Sequence, residues 1–346
     1  MNALEKQKMN QRQSLDLESK IQMTKQRIKQ WFDHWDGEVY LAFSGGKDST
    51  VLKHIIESMG LNIPCVFSNT GLEMPEIVKF ARSQKNVIEV RPQKPFNEVW
   101  QEEGIPVGSK KVAKMIRVLQ EGDTGKNSNM HKLYSEGVNS KGQQAKSWKI
   151  PNKWRKFVDS GIAVTDKCCD YLKKEPLNTY AKKTKLKRFD AMMSSEGGMR
   201  AELHKCNDFG KKPASHPMLF WLESDIFEYI KMFNVEICDV YFDRGYLGEK
   251  LVASNSPHND LPTIKELTES SESISKGLNL TVIPAEKRTG CMFCGFGAHM
   301  EKGLNRFQKM SVTHPRQHNI VMERMGMRKA MTLINVKVDY CEKDDG

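Results

Sequence analysis

Short apolar strands alternate with helices in the first third of the chain. Residues 39–43, 64–68 and 87–90 are apolar runs of strand length, and helix-compatible stretches at 50–59 and 75–83 separate them. Strands and helices that alternate at this pace form right-handed βαβ units. The pattern therefore predicts an α/β protein built on a Rossmann-like parallel sheet.

Composition divides the rest of the chain. Residues 1–36 carry a helical apolar pattern that no Gly or Pro interrupts, which predicts an N-terminal helix packed on the body of the protein. We expect an α/β domain over 37–250, with a polar insertion or mobile loop near 121–148. Residues 251–346 form a C-terminal region that begins with a polar stretch and ends in a basic, Met-rich tail, which we expect to be helical.

The chain of 346 residues has a formal net charge of +11. That charge suits a polyanion, either a nucleotide with several phosphates or a nucleic acid, although a solvated basic surface is the alternative. Residues 299–318 add a basic surface that a nucleic acid or a protein partner would fit. No apolar run approaches the roughly 20 residues of a membrane span, and the N-terminus lacks a secretory signal. We therefore expect a cytoplasmic protein with no membrane partner.

A glycine-containing turn follows the first strand and opens a helix, where ligands bind in an open parallel sheet. Two glycines let backbone N–H groups face an anion, and the helix N-terminus adds partial positive charge. Asp48 would repel a bare phosphate, so it fits as a helix cap or through Mg²⁺ that accompanies ATP. The predicted nucleotide-binding residues here are Ser44, Gly45, Gly46, Lys47, Asp48, Ser49 and Thr50.

The turn is not a Walker A loop. That motif needs a glycine at the position of Leu41 and a Ser or Thr at the position of Asp48.

Eight cysteines are many for a protein in a reducing compartment, where metal or redox chemistry explains them better than disulfides. Cys168 and Cys169 are adjacent, and Cys291 and Cys294 form a Cys-x-x-Cys pair. Four thiolates suit either zinc or an iron–sulfur cluster, and the adjacent pair favours the larger cluster modestly. The remaining thiols have no partner spacing; Cys65 fits a core strand, and Cys206 and Cys238 fit structural positions.

The motif Ser44-Gly45-Gly46-Lys47-Asp48-Ser49 resembles the phosphate loop of the adenine nucleotide α-hydrolase (PP-loop) superfamily. The stretch from Cys168-Cys169 to Lys174-Glu175-Pro176-Leu177 resembles the signature of the cluster-bearing phosphoadenylylsulfate (PAPS) and adenylylsulfate reductases. The resemblance implies a sheet of the adenine nucleotide α-hydrolase type. It also implies that Cys168, Cys169, Cys291 and Cys294 together hold one 4Fe-4S cluster.

Further matches lie between the two motifs and beyond them. By the same resemblance, Thr70 and Gly71 would line the nucleotide site, and Arg200, in Gly197-Gly198-Met199-Arg200, would contact the anionic end of the nucleotide. His216 to Ile226 resembles the start of a core helix, so Trp221 is expected to serve packing.

The C-terminus departs from the reductases, which end in a Glu-Cys-Gly-x-His tail with a nucleophilic cysteine. Cys341 is the late cysteine here, without the flanking Gly and His and with acidic neighbours that weaken a thiol nucleophile. Cys341 is the candidate catalytic residue, and a solvated tail position is the alternative.

Three functions remain open. The first is a sulfonucleotide reductase that binds adenylylsulfate or PAPS and uses a thiol reductant such as thioredoxin. The second is an ATP-pyrophosphatase-type enzyme that adenylates DNA or tRNA for sulfur modification. The third is a non-catalytic iron–sulfur protein with an assembly or regulatory role.

Overall fold

The computed structural model describes residues 2–270 and 280–341. Its central sheet has six strands in the order β3-β2-β1-β5-β7-β6, parallel except at the β6 edge. This confirms the mixed α/β class with a parallel central sheet. The strands are β1 (Val39–Phe43), β2 (Cys65–Ser68), β3 (Val87–Val90), β5 (Lys187–Phe189), β6 (Asn207–Asp208) and β7 (Ala214–Ser215).

Helices of the first half follow the predicted alternation. α3 opens directly after β1 and the predicted phosphate loop, residues 44–50. α4 begins with a proline, where the sequence predicted a helix start. The helices are α1 (Ala3–Gln13), α2 (Leu17–His34), α3 (Lys47–Ser58), α4 (Pro75–Ser83), α5 (Phe96–Glu103), α6 (Lys110–Gln120), α7 (Ser128–Glu136), α8 (Asn152–Arg155) and α9 (Glu175–Thr184).

The N-terminal segment is two helices rather than one. α1 ends at Gln13 and α2 begins at Leu17, because the Asp16 side chain accepts a hydrogen bond from the Ser19 backbone N–H and caps a new helix. The expectation of a single N-terminal helix was therefore wrong. The packing on the body is confirmed, since Ile28 and Trp31 of α2 are fully buried.

α10 (Glu223–Phe233) begins later than expected, since the stretch from His216 resembled the start of this helix. Its Asp225 forms a buried ion pair of 2.7 Å with Lys20 of α2, and both side chains are under 10% exposed. Trp221, which precedes the helix, is fully buried and donates to the Thr24 hydroxyl at 2.9 Å. Trp221 therefore serves packing, as expected.

A second group of elements combines the middle of the chain with its C-terminal part. The two-residue strands β4 (Val107–Gly108) and β11 (Gly295–Phe296) pair in parallel and join the two regions. Around them lie α5 to α8 and the C-terminal helices α12 (Arg306–Thr313), α13 (Pro315–Asn319) and α14 (Met327–Leu333). The basic tail is thus helical, as predicted. The polar insertion near 121–148 contains α7, which its composition did not predict.

A small antiparallel sheet of order β10-β8-β9 follows α10. Its strands are β8 (Arg244–Leu247), β9 (Lys250–Ser254) and β10 (Leu280–Ile283), and α11 (Ile264–Ser270) lies between β9 and β10. Part of the polar stretch noted in the sequence, 271–279, lies outside the described residues. Within the described ranges, no helix combines the length and the apolar character needed to cross a membrane.

The buried apolar residues form two cores. The first core joins α2, α3 and the sheet to residues 218–241. The second core joins residues 96–172 to residues 292–338. The domain boundaries predicted above stay a prediction, but each core is built from segments distant in sequence.

Candidate functional site

The phosphate loop lies at the carboxyl end of β1 and opens α3. Gly45 has a φ of +70°, and a Cβ there would lie 3.0 Å from the Ile77 side chain, so the turn requires glycine. Gly46 is the N-cap residue of α3, and Asp48 lies in the first turn. The expectation that Asp48 caps the helix was therefore wrong.

Hydroxyl oxygens accept hydrogen bonds from two backbone N–H groups of the loop. The N–H of Gly46 donates to Ser44 Oγ and the N–H of Lys47 donates to Tyr241 Oη, both at 3.2 Å. Ser49 and Thr50 donate through their hydroxyls to the Gly46 carbonyl, at 2.9 and 3.0 Å. An anion bound in the loop would replace these hydroxyl oxygens as the acceptor of both N–H groups. The displaced hydroxyl groups would be close enough to donate hydrogen bonds to the anion.

Lys47 is buried and held by acidic groups. Its Nζ lies 3.2 Å from Glu223 Oε1 and 3.3 Å from Asp48 Oδ1, and it donates to the Lys287 carbonyl at 3.2 Å. Burial raises the pKa of Asp48, against the lowering effect of Lys47. Asp48 Oδ1 has no hydrogen-bond partner among the described residues. The charge of Lys47 is thus shared with two carboxylates, which an anionic ligand would have to displace.

A cavity lies under the loop, between the ends of β1 and β2. It encloses about 620 Å³ including its mouth, a volume suited to a small ligand, and its walls include Ser44, Phe67, Thr289 and Gly290. Glu73 and Lys173 also line it, with a Lys173 Nζ to Glu73 Oε1 distance of 3.9 Å. We call this the loop cavity.

Thr70 and Gly71 follow β2 but do not line the loop cavity. Thr70 is buried and donates through its N–H and its hydroxyl to the Glu73 carboxylate, each at 2.8 Å. Its hydroxyl lies 3.9 Å from Cys291 Sγ. Thr70 therefore stands between the loop cavity and a cysteine, and Gly71, with a φ of +79°, shapes this turn.

Arg200 lies on a short 3₁₀ helix, half-exposed, and forms an ion pair with Glu196. Glu196 also lies 3.7 Å from Arg288 Nη1, and its charge contributes to the raised pKa of Asp48. Arg200 thus belongs to a charged cluster on the Asp48 side of the loop rather than to the loop cavity.

The four motif cysteines line one pocket. Cys168 and Cys169 immediately precede a π-helical turn, Asp170–Lys174, and Cys291 and Cys294 form a tight turn in which Cys294 N–H donates to the Cys291 carbonyl at 3.1 Å. The pocket encloses about 410 Å³ including its mouth. Its other walls are mainly apolar and include Leu72, Phe96, Val99, Trp100, Leu172 and Phe293. We call it the thiol pocket.

The Cys-x-x-Cys turn is docked on two other loops. The Met292 N–H donates to the Leu72 carbonyl at 2.7 Å, and the Gly295 N–H donates to the Pro106 carbonyl at 3.0 Å. A Cβ on Gly295 would lie 2.4 Å from that carbonyl oxygen, so the close approach needs glycine. The fold, rather than the local sequence, therefore brings the second cysteine pair to the first.

The thiols differ in acidity. A hydrogen bond from Cys168, together with the charges of Lys173 and Lys110, lowers the pKa of Cys169 to about 6. The same hydrogen bond and burial raise the pKa of Cys168. Burial raises the pKa of Cys291, and raises that of Cys294 to about 11. Within the described part of the chain, no set of three or more His, Cys, Asp or Glu side chains is arranged to hold a metal ion.

A third, larger cleft adjoins the other two at Gly290 and Cys291. It encloses about 1270 Å³ including its mouth, and we call it the basic cleft. Its basic lining residues are Lys287, Arg288, Lys302, Arg306, Lys309 and His314, and its acidic ones are Glu286 and Glu301. Arg306 pairs with Glu301, and Lys309 lies 3.6 Å from Glu286.

The basic residues predicted to form a surface over 299–318 are therefore not all on the surface. Lys309 is buried, and its Nζ donates to the carbonyls of Pro284 and Ala285. His318 is buried too, and its Nε2 donates to the Val338 carbonyl at 2.8 Å. The helical packing of the tail turned part of the expected surface into cleft walls and core.

Cys341 is exposed and lines none of the three cavities. The chain before it is fixed where the Tyr340 N–H donates to Ser311 Oγ at 3.0 Å. The structure does not bring Cys341 to the other site residues. The remaining cysteines are buried, as expected: Cys65, Cys206 and Cys238.

Residues 38–121 match the family model of the phosphoadenosine phosphosulfate reductase domain. This match supports the resemblance of the chain to the PAPS reductase family. The matched segment runs from the residue before β1 to the residue after α6, so it contains the phosphate loop and the Thr70 turn. The four motif cysteines lie outside it.

One solved structure similar to this chain is the crystal structure of PAPS reductase from Candida auris in a phosphate complex. It is 12% identical over 63% of this chain and 82% of that chain, with a TM-score of 0.36. No match to a curated protein was found.

Sequence reasoning based on the PAPS reductase resemblance missed several residues of the site. Glu73 and Lys173 lie inside motifs that it used, so their spacing was available, but nothing local showed that both line the loop cavity. Glu223 and Tyr241 contact Lys47 of the loop from distant parts of the chain, and Thr289 is hydrogen-bonded to Tyr241. No local pattern marks such partners.

Proposed function

We propose that this protein is a PAPS reductase-family enzyme that binds an adenine nucleotide at the phosphate loop and reduces a sulfonucleotide to sulfite. One observation carries the proposal: the loop cavity and the thiol pocket are neighbours. Thr289 Oγ1 lies 2.8 Å from Tyr241 Oη, whose oxygen accepts from the loop, and Cys291 follows two residues later. A nucleotide held by the loop would therefore have its anionic end near the thiols.

An iron–sulfur cluster is the cofactor that the donor set favours. Four thiols share one largely apolar pocket, and soft thiolate ligands are those that iron–sulfur clusters use. A 4Fe-4S cluster spreads its irons over a larger body than a single zinc ion, and the adjacent Cys168 and Cys169 fit it better for that reason. We propose that Cys168, Cys169, Cys291 and Cys294 hold it, and that it supplies a charged neighbour to the bound nucleotide.

Lys173 connects the two sites. It lines the loop cavity with its side chain partly exposed, and a deprotonated Cys291, followed by Glu73 and the other thiols when deprotonated, raises the pKa of Lys173 against the opposing effect of desolvation. A protonated Lys173 at this position would bind sulfonate or phosphate oxygens and orient them. Glu73 would hold Lys173 and the Thr70 turn in place.

The nucleophile would come from an external thiol, because Cys341 lies outside the cavities. A thiolate attacks the sulfonate sulfur, an S–S bond forms, and the S–O bond breaks so that the adenosine phosphate leaves with its oxygen and the electron pair. A second thiol then attacks the thiosulfonate, releasing sulfite and leaving a disulfide. The two thiols, such as those of a thioredoxin, supply both electrons.

The test is anaerobic purification with iron and sulfide assays, followed by calorimetry with adenylylsulfate, PAPS and ATP. We expect four irons and four sulfides per chain, nucleotide binding, and sulfite release with a dithiol. Cys291→Ala should lose the cluster, whereas the buried Cys65→Ala should keep it. Absence of sulfite with either sulfonucleotide would overturn the reductase assignment, and a full cluster without nucleotide binding would favour a non-catalytic role.

A second candidate is an ATP-pyrophosphatase-type enzyme that adenylates an acceptor. Two observations favour it: Cys341 is outside the site, and the buried Asp48 Oδ1 accepts no hydrogen bond among the described residues, so that beside its ion pair with Lys47 it has room for a Mg²⁺ ion. This function predicts pyrophosphate release from Mg²⁺-ATP, stimulated by DNA or tRNA. Pyrophosphate without sulfite would select it over the reductase.

A further inference from the structure

The positive charge of the chain is concentrated in one segment. Residues 109–156, from the N-cap of α6 to the end of α8, carry twelve Lys and Arg side chains against three Asp and Glu. This segment therefore supplies +9 of the formal net charge of +11. We call it the lysine module.

Most of these cations are exposed and have no acidic partner. The exposed ones are Lys110, Lys111, Lys126, Lys132, Lys141, Lys146, Lys149, Lys153, Arg155 and Lys156. In the described part of the chain, only Lys110 of this group forms an ion pair, with Asp170. A surface with so many unneutralised cations attracts polyanions and is the electrostatic footprint of nucleic-acid binding.

An aromatic ring lies among these cations. Trp148 is 43% exposed, and Lys111 Nζ lies 4.1 Å from the centroid of its ring, with Lys146 and Lys149 beside it in the chain. Lys111 Nζ also donates to the Ser147 carbonyl, which ties α6 to this turn. An exposed indole next to lysines is the arrangement on which an unpaired base stacks while its phosphates contact the cations.

The lysine module reaches the proposed site at two points. Lys110 Nζ lies 3.3 Å from Asp170, the residue after Cys169. Trp154 contacts the ring of His299 with centroids 4.9 Å apart, and Met300, which follows, lines the basic cleft. A chain of phosphates on the module would continue into the basic cleft, toward Lys302 and Lys287.

We propose that the lysine module binds a single-stranded segment of nucleic acid, with lysines on the phosphates and Trp148 stacked on a base. This goes beyond the proposed nucleotide site, and it would supply the acceptor that the second candidate function needs. Binding to the module requires neither the cluster nor a nucleotide in the loop, so it is tested separately from both.

The experiment measures binding of the full chain to a labelled 20-nucleotide single strand by fluorescence anisotropy between 50 and 300 mM salt. The variant Lys146→Glu/Lys149→Glu/Lys153→Glu removes three exposed cations. The control Lys182→Glu/Lys211→Glu/Lys212→Glu makes the same charge change at exposed lysines elsewhere. Loss of three phosphate contacts should weaken binding by on the order of 100-fold at 100 mM salt and reduce the salt slope by about 2. The control should change affinity much less. Equal effects of the two triple variants would overturn the proposal.

Trp148→Ala separates base stacking from charge. We expect single-strand binding to weaken about 5- to 150-fold with an unchanged salt slope, and Trp148→Phe to restore most of it. Polyglutamate and a blunt duplex of equal charge serve as competitors. If both compete as well as the single strand, and if Trp148→Ala has no effect, the module is a general polyanion surface and the proposal fails.

Discussion

Lys47 illustrates how single residues prepare the phosphate loop for an anion. Its ammonium group is buried between Asp48 and Glu223, so the positive charge is already desolvated but is balanced by carboxylates. An incoming nucleotide would compete with Glu223, whose side chain is 55% exposed and free to turn into solvent. If the loop binds a nucleotide as proposed, binding would therefore exchange one ion pair of Lys47 for another.

Removal of the competing carboxylate should strengthen nucleotide binding. An exposed ion pair contributes up to about 1 kcal/mol, so Glu223→Gln should tighten binding roughly two- to fivefold in calorimetry at fixed salt. Lys47→Met should weaken binding at least tenfold. Glu228→Gln, at an exposed position of the same helix, is the matched control. If Glu223→Gln and the control Glu228→Gln bind the nucleotide with equal affinity, Glu223 does not compete with the ligand for Lys47.

The sequence was informative about residues whose roles are local. The glycines of the loop were identified because Gly45 needs a positive φ and a close approach to Ile77, which a Gly-Gly turn after a strand implies. The partners of Lys47 were not identified, because Glu223 reaches it from α10 through the tertiary fold. Helix capping was one of two alternatives for Asp48 and was wrong, because Gly46 occupies the N-cap position; the Mg²⁺ alternative stays a prediction.

Among the elements, α2 and α10 are joined by a buried charge pair. Lys20→Met would leave Asp225 buried without its cation and should lower the free energy of unfolding by about 3–5 kcal/mol in urea titrations. Lys29→Met, which breaks an exposed pair with Asp33 on the same helix, should cost under about 1 kcal/mol. The interpretation is wrong if the two variants lose equal stability.

The pairing of β4 with β11 depends on Gly295. A methyl group there would lie 2.4 Å from the Pro106 carbonyl oxygen, so Gly295→Ala must displace one of the two backbones. We expect a loss of about 1–3 kcal/mol in the free energy of unfolding. Gly210→Ala is the control, since its Cβ would meet only the movable end of the Asp208 side chain. A native-like stability of Gly295→Ala would contradict this close packing.

Elements with strong local signals were predicted from the sequence. β3 and α4 match their predicted ranges, because an apolar run bounded by turns and a Pro-Glu helix start are local features. α7 was missed because the stretch 121–148 around it is rich in Gly, Ser and Asn, which are typical of loops, whereas its buried Tyr134 packs in the second core. The break after Gln13 carried a signal, Asp16 followed by Ser19, that the helical pattern obscured.

At the scale of the whole molecule, the thiol pocket belongs to the second core. Cys168 and Cys291 pack against the apolar residues of that core, which unites residues 96–172 with 292–338. That these two segments meet could not be predicted from either alone, whereas the sheet of the first core followed from successive βαβ units. The pattern of cysteines indicated a shared site, but not the backbone that holds it.

If the four thiols hold a cluster, its removal should loosen one core more than the other. Ligand binding to the native state stabilises the structure that forms the site. After iron removal with a chelator under reducing conditions, amide hydrogen exchange should increase in α6 and α12 and change little in α3 and β1. An equal increase in amide hydrogen exchange in both cores after iron removal would contradict this coupling.

The joining of β4 to β11 has a consequence for biosynthesis. A chain emerging from the ribosome can complete the first core once residue 242 is available, because all the segments of that core precede this point. The second core must wait for residues 292–338, so Cys168 and Cys169 leave the ribosome long before their partners. If the four thiols hold a cluster, its loading must therefore follow synthesis of the second cysteine pair, and the nascent protein presents an unprotected thiol pair to its surroundings until then.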